Sequence, residues 1–236
     1  MSQPAKVIGV ISSAHRNGNT AALVREVLRG AAAAGAAVEE VFLPEQRIEF
    51  CNGCFRCTAE GQCPLADDFG TIRDRLWAAD GIVLGSPTYA GTLNAEMKRL
   101  FERLGMFERL TSSLGGKYIV GVSTCAGMGA KRVADNLARL ISGGLFRRGY
   151  ISGSLGVSLR GKQAADLPEI LARAGELGKR LVRDIRGQRR YRLQNLGGRI
   201  LNRWILRPNF QKIILQNKNG AMKGVYENLN RRGLLP

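Results

Sequence analysis

The chain has 236 residues, 44% hydrophobic and 23% charged, a composition typical of a globular protein with a sizeable core. No apolar run approaches membrane-spanning length, and the N-terminus lacks the charged and long apolar regions of a secretory signal. These features argue against a membrane-spanning or exported protein, so we expect a soluble, cytoplasmic one.

Strand and helix patterns alternate five times within about 185 residues. The predicted strands are Lys6–Ser13, Val38–Leu43, Gly81–Gly85, Lys117–Ser123 and Tyr150–Ser158. Four predicted helices are Ala21–Ala34, Ala95–Leu110, Val133–Arg148 and Pro168–Arg186. A fifth runs through Ile72, Leu76 and Ala79, with Asp67 and Asp68 as its N-terminal caps. The alternation predicts an α/β fold with a doubly wound, five-stranded parallel sheet.

The net charge of +17 is unevenly distributed. From Arg186 to Pro236 there are twelve lysines and arginines and one acid, Glu227, a net charge of +11. We therefore predict two parts: an α/β domain over residues 1–186, with a cysteine loop at 44–64, and a basic helical extension over 187–236.

The first strand-to-helix turn, SSAHRNGNT, has neither the G-x-G-x-x-G dinucleotide motif nor a Walker lysine. Its hydroxyls, its arginine and the following helix N-terminus suit a phosphate group, although a capped turn with a solvated arginine is an equal alternative. The loops SPTYAGTLN and STCAGMG leave the same edge of the predicted sheet and are rich in small residues. They predict a site where a flat ring lies against backbone amides.

SSAHRNGNT, GSPTYAGTLNAEMKRLFERL and STCAGMG, in this order and spacing, resemble the NADPH-dependent FMN reductase family of flavodoxin-like proteins over roughly residues 5–185. The resemblance implies a flavodoxin-like fold, FMN as cofactor and NAD(P)H as a candidate co-substrate. It implies that the FMN phosphate is held by Ser13, Arg16, Asn17, Asn19 and Thr20. It also implies that the isoalloxazine ring lies between two groups: Pro87, Thr88, Tyr89 and Gly91 on one side, and Thr124, Ala126 and Gly127 on the other.

Four cysteines, Cys51, Cys54, Cys57 and Cys63, follow the spacing C-x2-C-x2-C-x5-C in the loop after the second strand. Cysteines three apart on a tight coil turn their sulfurs toward a common point, which suits a [4Fe–4S] cluster. Zinc sites usually pair two separated knuckles, and disulfides are typical of exported proteins. Free or redox-active thiols are the main alternative to a cluster.

The cysteine spacing and position also resemble the iron–sulfur flavoprotein branch of the same family. That resemblance implies a [4Fe–4S] cluster on all four cysteines, close to the flavin of a neighbouring subunit in a homodimer or homotetramer. A cluster passes electrons singly, whereas FMN accepts a hydride as an electron pair, so the two together can split electron pairs.

The basic extension contains two predicted amphipathic helices. Arg199, Arg203 and Arg207 form a basic stripe beside an apolar stripe that includes Trp204, and Pro208 is expected to end this helix. The second helix is predicted over Ala221–Arg232. The apolar faces favour an oligomerisation arm. The alternatives are an anionic membrane surface, an acidic redox partner protein, or nucleic acid, for which no binding motif is present.

We therefore expect an FMN-dependent oxidoreductase that moves electrons between NAD(P)H or a ferredoxin-type donor and an acceptor. A cluster-free NAD(P)H-dependent FMN or quinone reductase is one alternative. A non-enzymatic regulator or adaptor with a flavodoxin-like fold, which binds nucleic acid or membrane through its basic extension, is another. No catalytic acid or base is assigned, because FMN chemistry requires none from the chain.

Overall fold

The computed structural model describes residues 3–235. Its strands are β1 (Lys6–Ile11), β2 (Ala37–Phe42), β3 (Gly81–Tyr89), β4 (Thr92–Leu93), β5 (Tyr118–Cys125) and β6 (Tyr150–Ser158). Five of them form a parallel sheet in the order β2-β1-β3-β5-β6, and β4 pairs antiparallel with the end of β3. Numbered among the parallel strands alone, this is the 2-1-3-4-5 order of flavodoxin-like folds.

Helices cover both faces of the sheet because its strands are apolar on both sides. The helices of the α/β part are α1 (Asn19–Ala33), α2 (Arg56–Glu60), α3 (Phe69–Ala78), α4 (Ala95–Thr111), α5 (Ala130–Ser142) and α6 (Pro168–Arg186). Val7 and Ile11 of β1 pack in one core with α1 and α6. Ile8 and Val10 of the same strand pack in the opposite core with α3, α4 and α5. The predicted doubly wound parallel sheet is confirmed.

Two predicted boundaries in the α/β part differ from the structure by more than three residues. Strand β3 does not stop at Gly85 but continues to Tyr89, because its last residues pair with β4 and with β5. Helix α5 ends at Ser142 rather than Arg148, since the backbone becomes extended at Gly143. The residues that follow instead bury Leu145 in a separate apolar cluster.

The basic extension folds into α7 (Leu196–Leu201), a π-helical turn (Asn202–Leu206), α8 (Arg207–Gln216) and α9 (Lys223–Arg231). Pro208 does not end a helix as predicted; it lies in the first turn of α8. The backbone stays helical through Leu206 and Arg207, because the wider π turn before it accommodates a residue without an N–H group. The predicted second helix is confirmed within two residues at its N-terminal end.

The extension packs on the α/β part through one apolar cluster. We call it the C-terminal cluster; its buried members are Phe107, Leu110, Leu145, Ile214, Val225 and Leu229. The division into residues 1–186 and 187–236 stays a prediction, and Met1, Ser2 and Pro236 lie outside the described residues. Within residues 3–235, the structure has no helix that is both long and apolar enough to cross a membrane.

Candidate flavin site and cysteine loop

The loops after β1 and β3 meet at the carboxyl edge of the sheet. Ser12 N donates to Gly85 O at 2.9 Å, and the buried Asn94 joins the two loops. Its Oδ1 accepts from Ser12 Oγ at 2.7 Å and from Ser86 Oγ at 3.1 Å, while its Nδ2 donates to Ser12 O at 2.6 Å. Asn94 Oδ1 also accepts from Met97 N and so caps α4. Sequence reasoning missed this role, although an Asn directly before a helical pattern signals a cap.

The N-terminus of α1 opens at the same edge. Its N-cap residue is Gly18, no side chain within residues 3–235 caps it, and its first turn contains no acidic residue. The first N–H groups of a helix have no partner within the helix. An uncapped N-terminus of this kind can therefore bind an anion such as a phosphate.

The predicted phosphate ligands divide into two groups around this terminus. Ser13 and Thr20 are buried, and Thr20 Oγ1 lies 2.6 Å from Thr124 Oγ1 of β5. Arg16, Asn17 and Asn19 are less enclosed. Asn19 Oδ1 accepts from Ala164 N at 2.7 Å, and Arg16 Nη1 binds the Glu45 carboxylate at 2.6 Å. The structure thus brings the Thr20 hydroxyl to Thr124 of the ring-binding group, whereas the Arg16 guanidinium is engaged with Glu45.

The predicted ring-binding residues lie on the ends of β3 and β5 and in the loops beyond them. Pro87 is paired with Thr124 across the two strands, and Thr88 Oγ1 is 2.8 Å from Ser123 Oγ. Tyr89 is 54% exposed, and Ala126 and Gly127 are exposed.

A tight turn separates Tyr89 from β4. Ala90 and Gly91 both have positive φ angles, 47° and 74°, which suit a two-residue hairpin turn. Tyr89, the residue before this turn, keeps its side chain accessible. The chemistry and exposure of these residues fit a flat aromatic ring, but their assignment to FMN stays a prediction.

The cysteine loop curls tightly between β2 and α3. Gly53, Phe55 and Gly61 have positive φ angles, and α2 forms a single turn and a half between the last two. Cys51 and Cys54 are exposed, whereas Cys57 and Cys63 are partly buried. Cys57 packs against the C-terminal cluster. Cys63 packs against the core between the sheet and helices α3, α4 and α5.

The other three cysteines act on the Cys57 thiol. Burial raises the pKa of Cys57, and the charges of Cys63, Cys54 and Cys51 raise it further. Nevertheless, no three Cys, His, Asp or Glu side chains within residues 3–235 converge into a metal-binding group. Four thiolates are a suitable ligand set for an iron–sulfur cluster. The donor set therefore fits a cluster, while the loop shows the thiols free and unconverged.

A buried ion pair holds the end of this loop to α4. The Arg103 guanidinium binds the Asp67 carboxylate through two hydrogen bonds, at 2.5 and 3.0 Å, and both side chains are fully buried. Arg103 Nη1 also donates to Glu49 O at 2.8 Å. Burial would raise the pKa of Asp67, but these hydrogen bonds and those from the Glu49 and Phe69 N–H groups lower it overall.

The capping expected of Asp67 and Asp68 is observed in part. Asp68 occupies the N-cap position of α3, but its carboxylate accepts from Arg47 N at 2.7 Å. Asp67 Oδ1 accepts from Phe69 N, the first N–H group of α3, at 3.1 Å, and the same carboxylate neutralises Arg103. A pair separated by 36 residues has no local sequence signal, so it could not be found from the chain alone.

Comparisons with known proteins agree with this architecture. The model of the NADPH-dependent FMN reductase family matches residues 5–158. An iron–sulfur flavoprotein of Methanocaldococcus jannaschii is 40% identical over 125 residues, which are 52% of this chain and 65% of that protein, just under two thirds. An iron–sulfur flavoprotein of Archaeoglobus fulgidus is 25% identical over 233 residues, 98% of this chain and 100% of that protein. The solved structure of a flavone reductase superposes with a TM-score of 0.61 at 20% identity, covering 77% of this chain and 63% of that one.

The strand order and the open carboxyl edge define a flavodoxin-like protein. The family match extends over most of the α/β part, and the chain belongs to the NADPH-dependent FMN reductase family of oxidoreductases. The predicted family is confirmed, and the relatives described above are named as iron–sulfur flavoproteins.

Proposed function

We propose that this protein is an FMN-dependent oxidoreductase that moves electrons between NAD(P)H or a ferredoxin-type donor and an acceptor. The observation that carries the proposal is the uncapped N-terminus of α1, which opens where β3 and β5 end. When bound, FMN would accept a hydride and pass on its electrons. The chain's own part is to hold the phosphate with the first N–H groups of α1 and the hydroxyls of Ser13 and Thr20. Tyr89 would cover one face of the ring.

We further propose that Cys51, Cys54, Cys57 and Cys63 hold a [4Fe–4S] cluster. The support is the soft donor set, the partial burial of two of the four thiols, and the relatives named as iron–sulfur flavoproteins. A cluster at this loop would supply single-electron transfer in a protein whose flavin would take electrons in pairs.

A second candidate is a cluster-free NAD(P)H-dependent FMN or quinone reductase with a thiol loop. The observation that favours it is the lack of convergence of the four sulfurs within residues 3–235. In that case the exposed Cys51 and Cys54 would be free to react with oxidants or to form a disulfide.

Iron and acid-labile sulfide counted on anaerobically purified protein, together with its visible spectrum, distinguish the two candidates. The proposal expects a flavin spectrum over a broad brown absorbance and about four irons per chain. Cys63→Ser should lose iron, whereas the matched control Cys125→Ser, outside the loop, should retain it. A flavin spectrum without iron would establish the cluster-free reductase. Protein that binds neither flavin nor iron would contradict both candidates.

A further inference from the structure

The basic extension touches the cysteine loop directly, backbone against backbone. Gly224 of α9 is buried, and a Cβ atom on it would lie 2.6 Å from Gly61 Cα and 2.9 Å from the Glu60 carbonyl carbon. Both of these atoms belong to the end of α2 and the turn after it. Only a glycine at position 224 therefore allows the two elements to approach this closely.

A hydrogen bond joins the same two elements. Thr58 Oγ1 of α2 lies 2.8 Å from Ala221 O, just before α9, and 2.8 Å from Phe55 O within its own loop. Thr58 is buried, so its hydroxyl needs a partner inside the protein. Cys57, the residue before it, packs against the C-terminal cluster, to which α9 contributes Val225 and Leu229.

The position of α9 is itself fixed by anchors away from the loop. Arg232 donates to Thr111 O at 2.8 Å and to Ser112 O at 3.0 Å, at the C-terminal end of α4. Asn202, earlier in the extension, donates to Leu145 O at 2.9 Å. The C-terminal end of α9 is anchored on α4, and its N-terminal end packs against α2. The position of α9 therefore limits where α2 can lie.

We propose that the C-terminal extension positions the cysteine loop. Its helix α9 packs against α2, fixes the position of that helix and covers Cys57. That the Cys57 sulfur binds a cluster rests on the proposed function. That α9 holds Cys57 in place does not depend on it. The apolar side of the extension would then hold the cysteine loop in place, a role that the basic composition of the extension does not indicate.

Gly224→Ala tests the proposal, with Gly220→Ala as the matched control, because a Cβ on Gly220 meets nothing within 4 Å. Two readouts are measured: iron per chain in anaerobically purified protein, and the rate of Cys57 alkylation by iodoacetamide in iron-free protein, mapped by mass spectrometry. We expect Gly224→Ala to speed alkylation of Cys57 at least tenfold, to leave Cys125 unchanged, and to lower the iron content. Gly220→Ala should match the wild type in both readouts.

Thr58→Val, which removes the hydrogen bond to Ala221 with little change in volume, is the milder second variant and should shift both readouts in the same direction. Wild-type alkylation rates and iron content in both folded variants would overturn the proposal while leaving the proposed function intact. Wild-type protein without iron, combined with fast alkylation of Cys57 in Gly224→Ala, would support the positioning role and reject the cluster.

Discussion

At the scale of single residues, Glu108 is the most perturbed acid in the described part of the chain. It lies in α4, is buried, and accepts a hydrogen bond from Trp77 Nε1 at 2.7 Å. Burial raises the pKa of Glu108 to about 7, although the Trp77 hydrogen bond and the nearby Arg73 act to lower it. The carboxyl group therefore keeps its proton in the folded state to a much higher pH than in the unfolded state.

This shift predicts how stability depends on pH. Between the ordinary pKa of 4.5 and about 7, the folded protein holds a proton that the unfolded chain has lost. The free energy of unfolding should therefore fall as pH rises through this window, by at most about 3 kcal/mol, and then level off. Glu108→Gln keeps the acceptor for Trp77 and should remove the decline, so that it stabilises the protein at pH 8 and has little effect at pH 5.

Urea unfolding at pH 5 and pH 8 measures the effect. Glu102→Gln, on the same helix but in a surface pair with Lys98, is the matched control and should leave the decline unchanged. Parallel pH profiles for wild type and Glu108→Gln would show that Glu108 is not the responsible group.

At the scale of elements, the Arg103–Asp67 pair is what ties the cysteine loop to α4. Arg103→Gln should destabilise the protein by roughly 3–5 kcal/mol, because it leaves the Asp67 carboxylate buried without its counter-charge. Adding Asp67→Asn should recover most of that loss, since the pair then becomes two neutral amides. Arg99→Gln, which breaks the more exposed pair with Glu96, should cost less than about 1 kcal/mol.

Denaturant unfolding of the wild type and the three variants gives these free energies directly. If Arg103→Gln and Arg99→Gln were equally mild, the buried pair would not organise the loop. If the double variant were as unstable as Arg103→Gln alone, packing rather than the unpaired charge would explain the loss.

The elements could be predicted from the sequence to the extent that their signals are local. The five strands and their helices follow from short apolar runs and helical periodicity, which each segment carries within itself. The extension of β3 to Tyr89 and the burial of Leu145 depend on partners elsewhere in the chain, β4 and the C-terminal cluster. The Pro208 position was mispredicted because a π turn has no recognisable pattern of residues.

In the candidate site, too, the features with a local sequence signal could be predicted and the long-range contacts could not. The loops and cysteines were found because family motifs place them next to strand ends. The contacts that order them, made by Asn94, Asp67 and Gly224, join segments that are distant in the chain. The sequence pattern alone could therefore have revealed the cap at Asn94, but not these long-range contacts.

At the scale of the whole molecule, the extension has one docked face and one exposed face. Leu193 is 83% and Trp204 72% exposed, among arginines that have few acidic neighbours in the chain. The family resemblance predicts a homodimer or homotetramer, and burial of this apolar face would make assembly insensitive to salt. Attraction to an acidic partner or an anionic membrane would instead weaken as salt increases.

Sedimentation at low salt and near 1 M salt distinguishes these cases. We expect one oligomer at both concentrations, and dissociation when Trp204 is changed to Ala. Met106→Ala, which removes another partly exposed apolar side chain, on α4, should leave the oligomer intact. A wild-type monomer, or an oligomer that salt dissociates, would reject the apolar interface.

We expect the carboxyl edge of the sheet to bind FMN, with its phosphate at the N-terminus of α1. The most direct measurement is calorimetric titration of the flavin-free protein with FMN and, separately, with riboflavin, which lacks the phosphate. We expect one FMN per chain and riboflavin binding weaker by roughly a hundredfold, since hydrogen bonds to a charged group contribute about 1.5–3 kcal/mol each. Equal affinity for the two flavins, or binding of neither, would rule out a phosphate site at α1.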